Sequence, residues 1–335
     1  MRAVIGHDFG GIDSLRLETT PPPRMTPSGV RIAIHAAGIS FANLLVIKGE
    51  HQNKAIPPFT PGTEIAGIVT ELGPDAGVNL RIGDRVCAGL PSGGFAEEAV
   101  VEANNVFRIP DSLPFTQATH FPTIYATAYC ALQWRAQITP GETLLVHGGA
   151  GASGLAAVEV GAALGARVIA TVGSAEKADA ALAHGAAHAI NYRDEAFKDE
   201  VLNLTEGRGV DIVFDPVGGD MFDQSLRCVA PLARVLTIGF ASGRIPQIPA
   251  NLILVKNISI IGLYWGFYMA WGKTQASPAL RARVQDMFDE MFALFDEGKV
   301  QPVIDCTLPL ADFAQGLRRI ESGKVIGKVV LVPEH

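Results

Sequence analysis

A short apolar run, Thr143–His147, leads into three evenly spaced glycines, Gly148, Gly151 and Gly154, and then into an alanine-rich stretch ending at Leu164. No other feature limits the fold as much. Glycine lets a chain turn sharply from a strand into a helix, and it lets main-chain N–H groups approach an anion with no Cβ in the way. The positive end of the helix dipole then faces that anion. A second apolar strand follows at Arg167–Val172. Strand, glycine loop, helix and second strand, in that order, predict a dinucleotide-binding unit with a pyrophosphate on the helix N-terminus. The spacing differs by one residue from the commoner G-x-G-x-x-G pattern. A bare glycine turn of an α/β protein is the competing explanation.

The same alternation continues on both sides of the loop. From about Phe121, predicted strands at Thr143–His147, Arg167–Val172, Ala189–Tyr192, Val210–Phe214, Arg234–Gly239 and Asn257–Leu263 are separated by helices or long crossovers. The predicted helices are Gly154–Leu164, Ala175–His184, Asp194–Thr205 and Met221–Val229. This pattern predicts a parallel, doubly wound sheet over residues 123–265. Residues 1–122 read instead as strands and turns, at Val30–Ala36, Glu64–Glu71, Asp84–Ala88 and Phe95–Val101, with few helices. After Trp265 a helix over Ala279–Gly298 and strands over Val303–Leu308 and Lys328–Val332 rejoin the first part. The fold class is therefore α/β: a mostly antiparallel β domain (1–122 with 266–335) interrupted by a doubly wound parallel-sheet domain (123–265).

Composition narrows the partners. A chain of 335 residues suits two domains. Its net charge of −7 disfavours nucleic acid and anionic membrane, both of which reward clustered Lys and Arg. The most apolar stretch, Ile258–Trp271, falls short of the roughly 20 residues of a membrane helix and reads as buried strand and interface surface. The first residues lack the apolar block of a signal peptide. Cys87, Cys130, Cys228 and Cys306 lie far apart, so neither a disulfide framework nor a structural zinc site is expected, and a reducing cytoplasm is.

The second strand carries the choice of cofactor. An NAD site places an acid near its end to accept from the ribose 2′-OH. Arg167–Val172 has none, and Ser174 and Lys177 follow it. A hydroxyl and a cation suit a 2′-phosphate, so NADPH is expected rather than NADH. Ser174 also reads as a helix N-cap and Lys177 as a solvated surface charge.

With these motifs on the page, the chain resembles the quinone oxidoreductase, zeta-crystallin-like branch of the medium-chain dehydrogenase/reductase family. The resemblance rests on AAGISFAN, Pro61-Gly-Thr-Glu64, GDRV, Thr127-Ala-Tyr129, VHGGAGASG, ATVGSAEK, Ala189-Ile-Asn-Tyr192, FDPVGG, IGFASG, NISIIGLYWG and GKVVL. It implies a GroES-like catalytic domain, a Rossmann domain and often a homodimer. It also implies that Gly151, Ala152, Ser153 and Gly154 touch the pyrophosphate, and that Ser174, Lys177 and Tyr192 hold the adenosine phosphate. Thr127, Phe240, Leu263 and Tyr264 would lie along the nicotinamide side, with Lys328 reaching the cofactor. From residue type alone, Tyr192 is a strand-end aromatic, Thr127 an ordinary helix residue, and Phe240 and Tyr264 core or rim aromatics.

Zinc-dependent cousins carry Cys and His near Ile39-Ser40-Phe41 and a His-Glu after a glycine. Here those places read Ser40 and Gly62-Thr63-Glu64, and no metal is expected. Without a Lewis acid, the substrate must already accept hydride readily, as quinones and α,β-unsaturated carbonyl compounds do. Two places depart from the family: Ser40-Phe41-Ala42-Asn43 stands for Asn-Phe-Ala-Asp, and His51 for a common Tyr. Ser40 or Asn43 is a candidate donor to the substrate oxygen and His51 a candidate proton donor, against plain loop structure for each. Two other functions compete with this one. An enoyl-thioester (acyl-CoA) reductase would want a basic mouth, which the sequence does not show. A non-catalytic, crystallin-like NADPH-binding protein would bind the cofactor without consuming it.

Overall fold

The computed structural model of the chain describes all residues except 53, 78, 195, 272–276 and 335. Strands β1 (Arg2–Gly6), β2 (Leu15–Thr19), β3 (Gly29–Ile39), β4 (Glu64–Leu72), β5 (Arg85–Gly89), β6 (Glu98–Glu102) and β7 (Val106–Arg108) come first. They are followed by β8 (Thr143–His147), β9 (Arg167–Val172), β10 (His188–Asn191), β11 (Val210–Asp215), β12 (Val229–Thr237) and β13 (Ser259–Gly262). β14 (Ile304–Pro309) and β15 (Lys328–Val332) close the series. Contacts divide the chain into one unit of Met1–Thr123, Trp265–Phe292 and Pro302–His335 and a second of Ile124–Tyr264 and Ala293–Gln301.

The first unit is built on a sheet of order β14-β15-β3-β4-β5-β7, with β6 also paired to β3. All its pairings are antiparallel except β14 with β15. β3 sits at the middle because its alternation puts Val30, Ile32 and Ile34 into the core with no exposure. Two short helices, Phe41–Ile47 and Phe115–Ala118, interrupt this strand-rich part.

The second unit holds a six-stranded sheet of order β10-β9-β8-β11-β12-β13, and every neighbouring pair is parallel. β8 and β11 are buried along their whole length, as strands covered on both faces must be. Strand order reverses between β8 and β11, and in open α/β sheets ligands bind outside the carboxyl ends at such a reversal.

Several boundaries differ from the sequence expectation, for local reasons. The helix expected over Met221–Val229 is Gly219–Ser225, and Val229 already begins β12, because Pro231 cannot continue a helix. β12 is interrupted at Leu232, whose φ is +66°, with a register shift against β11. The helix expected from Asp194 begins at Phe197; residue 195 lies outside the described residues. A helix over Ala250–Lys256 was not expected, although Pro249 before it and the left-handed Asn257 after it are ordinary start and stop signals.

Two buried polar groups fix the second unit internally. His147, with no exposure, ends β8 between Thr171 Oγ1 at 2.9 Å from Nδ1 and Ser225 Oγ at 2.6 Å from Nε2. Ser225 donates its own proton to Met221 O, so it accepts from Nε2–H, and Nδ1 accepts from Thr171. The ring is thus a neutral structural bridge. Glu159, on the helix Ala152–Ala163, accepts from Tyr125 Oη, from His184 Nδ1 at 2.6 Å and from Gln301 N–H at 3.1 Å. That last bond ties the segment Ala293–Gln301 to this unit.

Burial lowers the His147 imidazole from 6.5 to about 3. The unfolded chain therefore takes up a proton at this residue between those values that the folded one does not, so stability rises with pH across that window. Thermal midpoints recorded between about pH 4 and pH 7 should fall toward acid, with a shallower fall in His147→Gln; identical slopes would contradict the assignment.

Candidate active site

At the carboxyl end of β8 the glycine loop turns the chain back onto the sheet. Gly149 N–H reaches Thr171 O at 3.0 Å, and Gly151 N–H reaches Gly148 O at 3.0 Å. Gly151 is the N-cap of the helix Ala152–Ala163, and no side chain caps it. The first helical bond beyond it is Leu155 N–H to Gly151 O at 2.8 Å. The N–H groups of Ala152, Ser153 and Gly154 precede that bond and face the helix's positive end. Gly154 is demanded by packing, since a Cβ there would lie 2.1 Å from Gly148 O. Loop, bare amides and dipole fit a pyrophosphate.

At the end of β9 the residues singled out in the sequence come together. Ser174 caps the helix Ala175–Ala183, its Oγ accepting Lys177 N–H at 3.3 Å. Tyr192 N–H bonds to Val172 O, and its hydroxyl lies over Gly173, where a Cβ would come within 2.8 Å of it. Arg193 Nε approaches the same point at 3.5 Å. Sequence reasoning missed Arg193, although its place directly after Tyr192 was the available signal. A hydroxyl, a phenol and a guanidinium around a bare glycine, with Lys177 in the first turn of the helix that Ser174 caps, fit a phosphate dianion.

The ends of β11, β12 and β13 carry the rest. Phe240 follows β12, with its Cδ1 3.0 Å from where a Gly218 Cβ would stand. Leu263 N–H bonds to Thr237 O, leaving Leu263 buried and Tyr264 41% exposed. Asp215, which the sequence reading also passed over, closes β11. Its Oδ1 accepts the N–H groups of Val217 (2.8 Å) and Gly218 (2.9 Å), while Oδ2 is buried with no partner among the described residues. Burial raises its carboxyl, against the pull of those two N–H groups. Thr127 is half-buried on the turn Ala126–Tyr129, which packs against the glycine-loop helix.

In the first unit, Ser40 and Asn43 face each other across the start of the helix Phe41–Ile47. Asn43 Oδ1 accepts Ser40 N–H at 2.7 Å and Ser40 Oγ–H at 3.1 Å. Asn43 has no exposure, and its Nδ2 has no partner among the described residues. Ser40 directs its hydroxyl hydrogen to Asn43 Oδ1, whereas the two hydrogens of the buried Asn43 Nδ2 have no partner among the described residues. His51 is half-buried beyond that helix, its N–H 3.3 Å from Leu45 O.

Lys328 opens β15 with 1% exposure, its ammonium bound to Glu64 Oε2 and, at 3.0 Å, to Thr119 O. Burial raises Glu64 and lowers Lys328, each against the attraction of the other. His120 is pushed well below its ordinary value by burial and by the Lys328 charge. The Lys328 ammonium is thus committed inside this unit.

The comparisons agree with this picture. Residues 26–111 match the alcohol dehydrogenase GroES-like domain family, and 152–277 match the zinc-binding dehydrogenase family. The chain is 40% identical to the quinone oxidoreductase-like protein 2 of Bos taurus over 94% of its length and 87% of that protein's. It belongs to the quinone oxidoreductase-like branch of the medium-chain dehydrogenase/reductase family. A homologue of the same relative in Nematostella vectensis is 41% identical over 91% of this chain and 81% of its own. Among the family's solved structures, Escherichia coli quinone oxidoreductase complexed with NADPH superposes with a TM-score of 0.91. It has 27% identity and covers 99% of this chain and 100% of its own. The zinc in the domain family's description finds no fit here. A catalytic zinc needs about three His, Cys or carboxylate ligands. No such group of three converges among the described residues, and Glu64 is already held by a lysine.

Removing one partner of a buried ion pair strands the other charge, at a cost of about 3–5 kcal/mol. Lys328→Met should therefore lower the thermal midpoint sharply, and Glu64→Leu with Lys328→Met should recover most of the loss. A single variant as stable as the parent would show that the pair is dispensable.

Proposed function

We propose that the protein is an NADPH-dependent reductase of quinones or α,β-unsaturated carbonyl compounds. The observation that carries this reading is the approach of Tyr192 and Arg193 to Gly173, with Ser174 next to it capping the helix whose first turn carries Lys177, at the end of a strand with no acid. It suits a 2′-phosphate better than a bare ribose diol. The NADPH of the similar E. coli enzyme supports it.

Bound NADPH supplies the hydride. The chain's own residues bind and orient. The amides of Ala152, Ser153 and Gly154, beside the side-chain-free Gly151, receive the pyrophosphate, and the residues at Gly173 fix the adenosine end. Thr127, Phe240, Leu263 and Tyr264 line the nicotinamide end. The donor set does not fit a Lewis-acid metal, so the acceptor must spread developing negative charge by its own conjugation. His51 is the side chain this reading assigns to proton delivery, since imidazole titrates near neutral pH. Asn43, whose Nδ2 has no partner among the described residues, is the candidate donor to the substrate oxygen, and Ser40 holds the side-chain carbonyl of Asn43.

A steady-state screen of NADPH oxidation tests this reading, using 1,4-benzoquinone, 9,10-phenanthrenequinone, acrolein, longer enones and crotonyl-CoA. Turnover of the quinones or enones is expected; turnover of the thioester alone would favour the acyl-CoA reductase, and cofactor binding without consumption the crystallin-like protein. Lys177→Ala should raise the KM for NADPH by about tenfold or more and leave that for NADH nearly unchanged, because a charge-assisted phosphate contact contributes at least about 1.4 kcal/mol. Equal losses would refute the 2′-phosphate role.

The reading includes a homodimer in the cytoplasm. β13 is one of the sheet's two edges, and on the helix Ala250–Lys256, which packs on the neighbouring β12, Leu254 and Val255 are 78% and 77% exposed. An open edge flanked by exposed aliphatics invites a second copy. Leu254→Glu should shift the sedimentation coefficient from dimer to monomer; a monomeric parent would end this part of the reading. The four cysteines are free, which suits a reducing compartment, and no helix among the described residues is long and apolar enough to cross a membrane.

A further inference from the structure

The segment that follows β12 carries Phe240 and runs into Ile245-Pro-Gln-Ile-Pro249, a stretch with two residues that lack an N–H. It lies on the turn Asp215–Gly219. Ala241 N–H bonds to Pro216 O at 3.1 Å, Ser242 N–H to Val217 O at 2.9 Å, and Gly219 N–H to Arg244 O at 3.1 Å. The seat is bare main chain. Gly218 and Gly219 are both left-handed, at φ +69° and +57°. A Cβ on Gly218 would press on Phe240 Cδ1 at 3.0 Å and Arg244 O at 3.1 Å, and one on Gly219 would press on Ser242 Oγ at 2.7 Å. Asp215 holds the seat rigid from beneath, through its two bonds to Val217 and Gly218.

Beyond Arg244 the support changes. After the bond of Gly219 N–H to Arg244 O, the next main-chain hydrogen bond described along the chain is Leu252 N–H to Pro249 O, and Ile245 is 69% exposed. The side chain of Arg244 adds a second tie at this last supported residue: its Nη2 meets Asp220 Oδ1 at 2.9 Å and Asp223 Oδ2 at 2.6 Å. Both acids belong to the helix Gly219–Ser225, so the arginine ties the far end of the segment to the helix that leaves the seat.

We propose that Arg244 is a positioning residue: by bridging Asp220 and Asp223 it latches this segment to its glycine seat and so fixes the ring of Phe240 for the reaction. The inference rests on the reading that Phe240 lines the nicotinamide end. The three charged side chains are well exposed, so water screens them and their loss has little effect on the stability of the whole fold. What the latch governs is local. A ring free to shift no longer shapes the reactive end, whereas the adenosine end, built on β9 and β10, is untouched.

Three readouts separate this role from a general structural one. Arg244→Ala should lower kcat with a quinone by about threefold to tenfold through lost orientation. It should leave the melting temperature and the affinity for 2′,5′-ADP unchanged, and Arg244→Lys should restore part of the loss. Raising the ionic strength to about 1 M, where charges are screened within about 3 Å, should lower kcat of the parent toward that of Arg244→Ala and leave the variant insensitive. Phe240→Ala should lower kcat as well, and adding Arg244→Ala to it should bring no further loss. If Phe240→Ala slows turnover and Arg244→Ala does not, the latch is wrong while the reading of Phe240 stands. If Phe240→Ala has no effect, that reading fails and the latch falls with it. Additive losses, or weaker 2′,5′-ADP binding in Arg244→Ala, would also overturn the proposal.

Discussion

Gly148 and Gly154 meet main chain to main chain, and the geometry of the second unit follows from that contact. Because nothing projects from Gly154, β8 turns directly into the helix Ala152–Ala163, and that helix packs close against the sheet. Its first turn is left with amides that no side chain of the protein caps. The same helix carries Glu159, whose oxygens gather Tyr125, His184 and Gln301 and hold the turn bearing Thr127 in place. The close approach at one end and the carboxylate further along therefore act on a single rigid body. The proposed phosphate contacts at β9 and the ring contacts at β12 and β13 are arranged around it.

Each unit also buries polar groups that a purely apolar core would not need. In the second unit His147 is neutral and Glu159 has three donors, whereas Asp215 keeps one oxygen without a partner among the described residues. In the first, Lys328 and Glu64 enclose each other's charge, with Thr119 O as a further acceptor. A buried pair of this kind adds little net stability compared with an apolar pair of equal volume, but it tolerates very few alternatives. It fixes how β15 lies against its neighbours, because any other register would leave a lysine in the core without an acid.

The parallel sheet was legible because its strands are apolar runs at regular intervals, and β8, β9 and β15 have the bounds their sequences suggest. The residues proposed to hold phosphate were legible as candidates because the glycine loop and the end of the second strand are local features. Other features depend on distant partners and were not. The resemblance implies only that Lys328 reaches the cofactor, and its bond to Glu64, far away in sequence, comes from the fold. Ser40 and Asn43 read alike as pocket donors, and only their mutual bonds show that Ser40 gives its one hydrogen to Asn43 while Asn43 Nδ2 keeps both of its own without a partner among the described residues. Arg193 and Asp215 sit inside recognisable motifs, yet a motif does not say which of its side chains point to a shared spot. Arg244 lies in a loop without periodicity, and only the fold brings its two acids to it.

The strand order of the first sheet also bears on how the chain is made. β15 pairs with β3, so a strand from residues 328–332 completes a sheet begun within the first forty residues. The six strands between Thr143 and Gly262 are contiguous and need no such late arrival. During synthesis the inner unit can close while the outer one still waits for its last strand. For that interval the Ala37–Ile39 end of β3, beyond its pairing with β6, stands without its hydrogen-bonding neighbour, as a short unpaired edge on an emerging polypeptide.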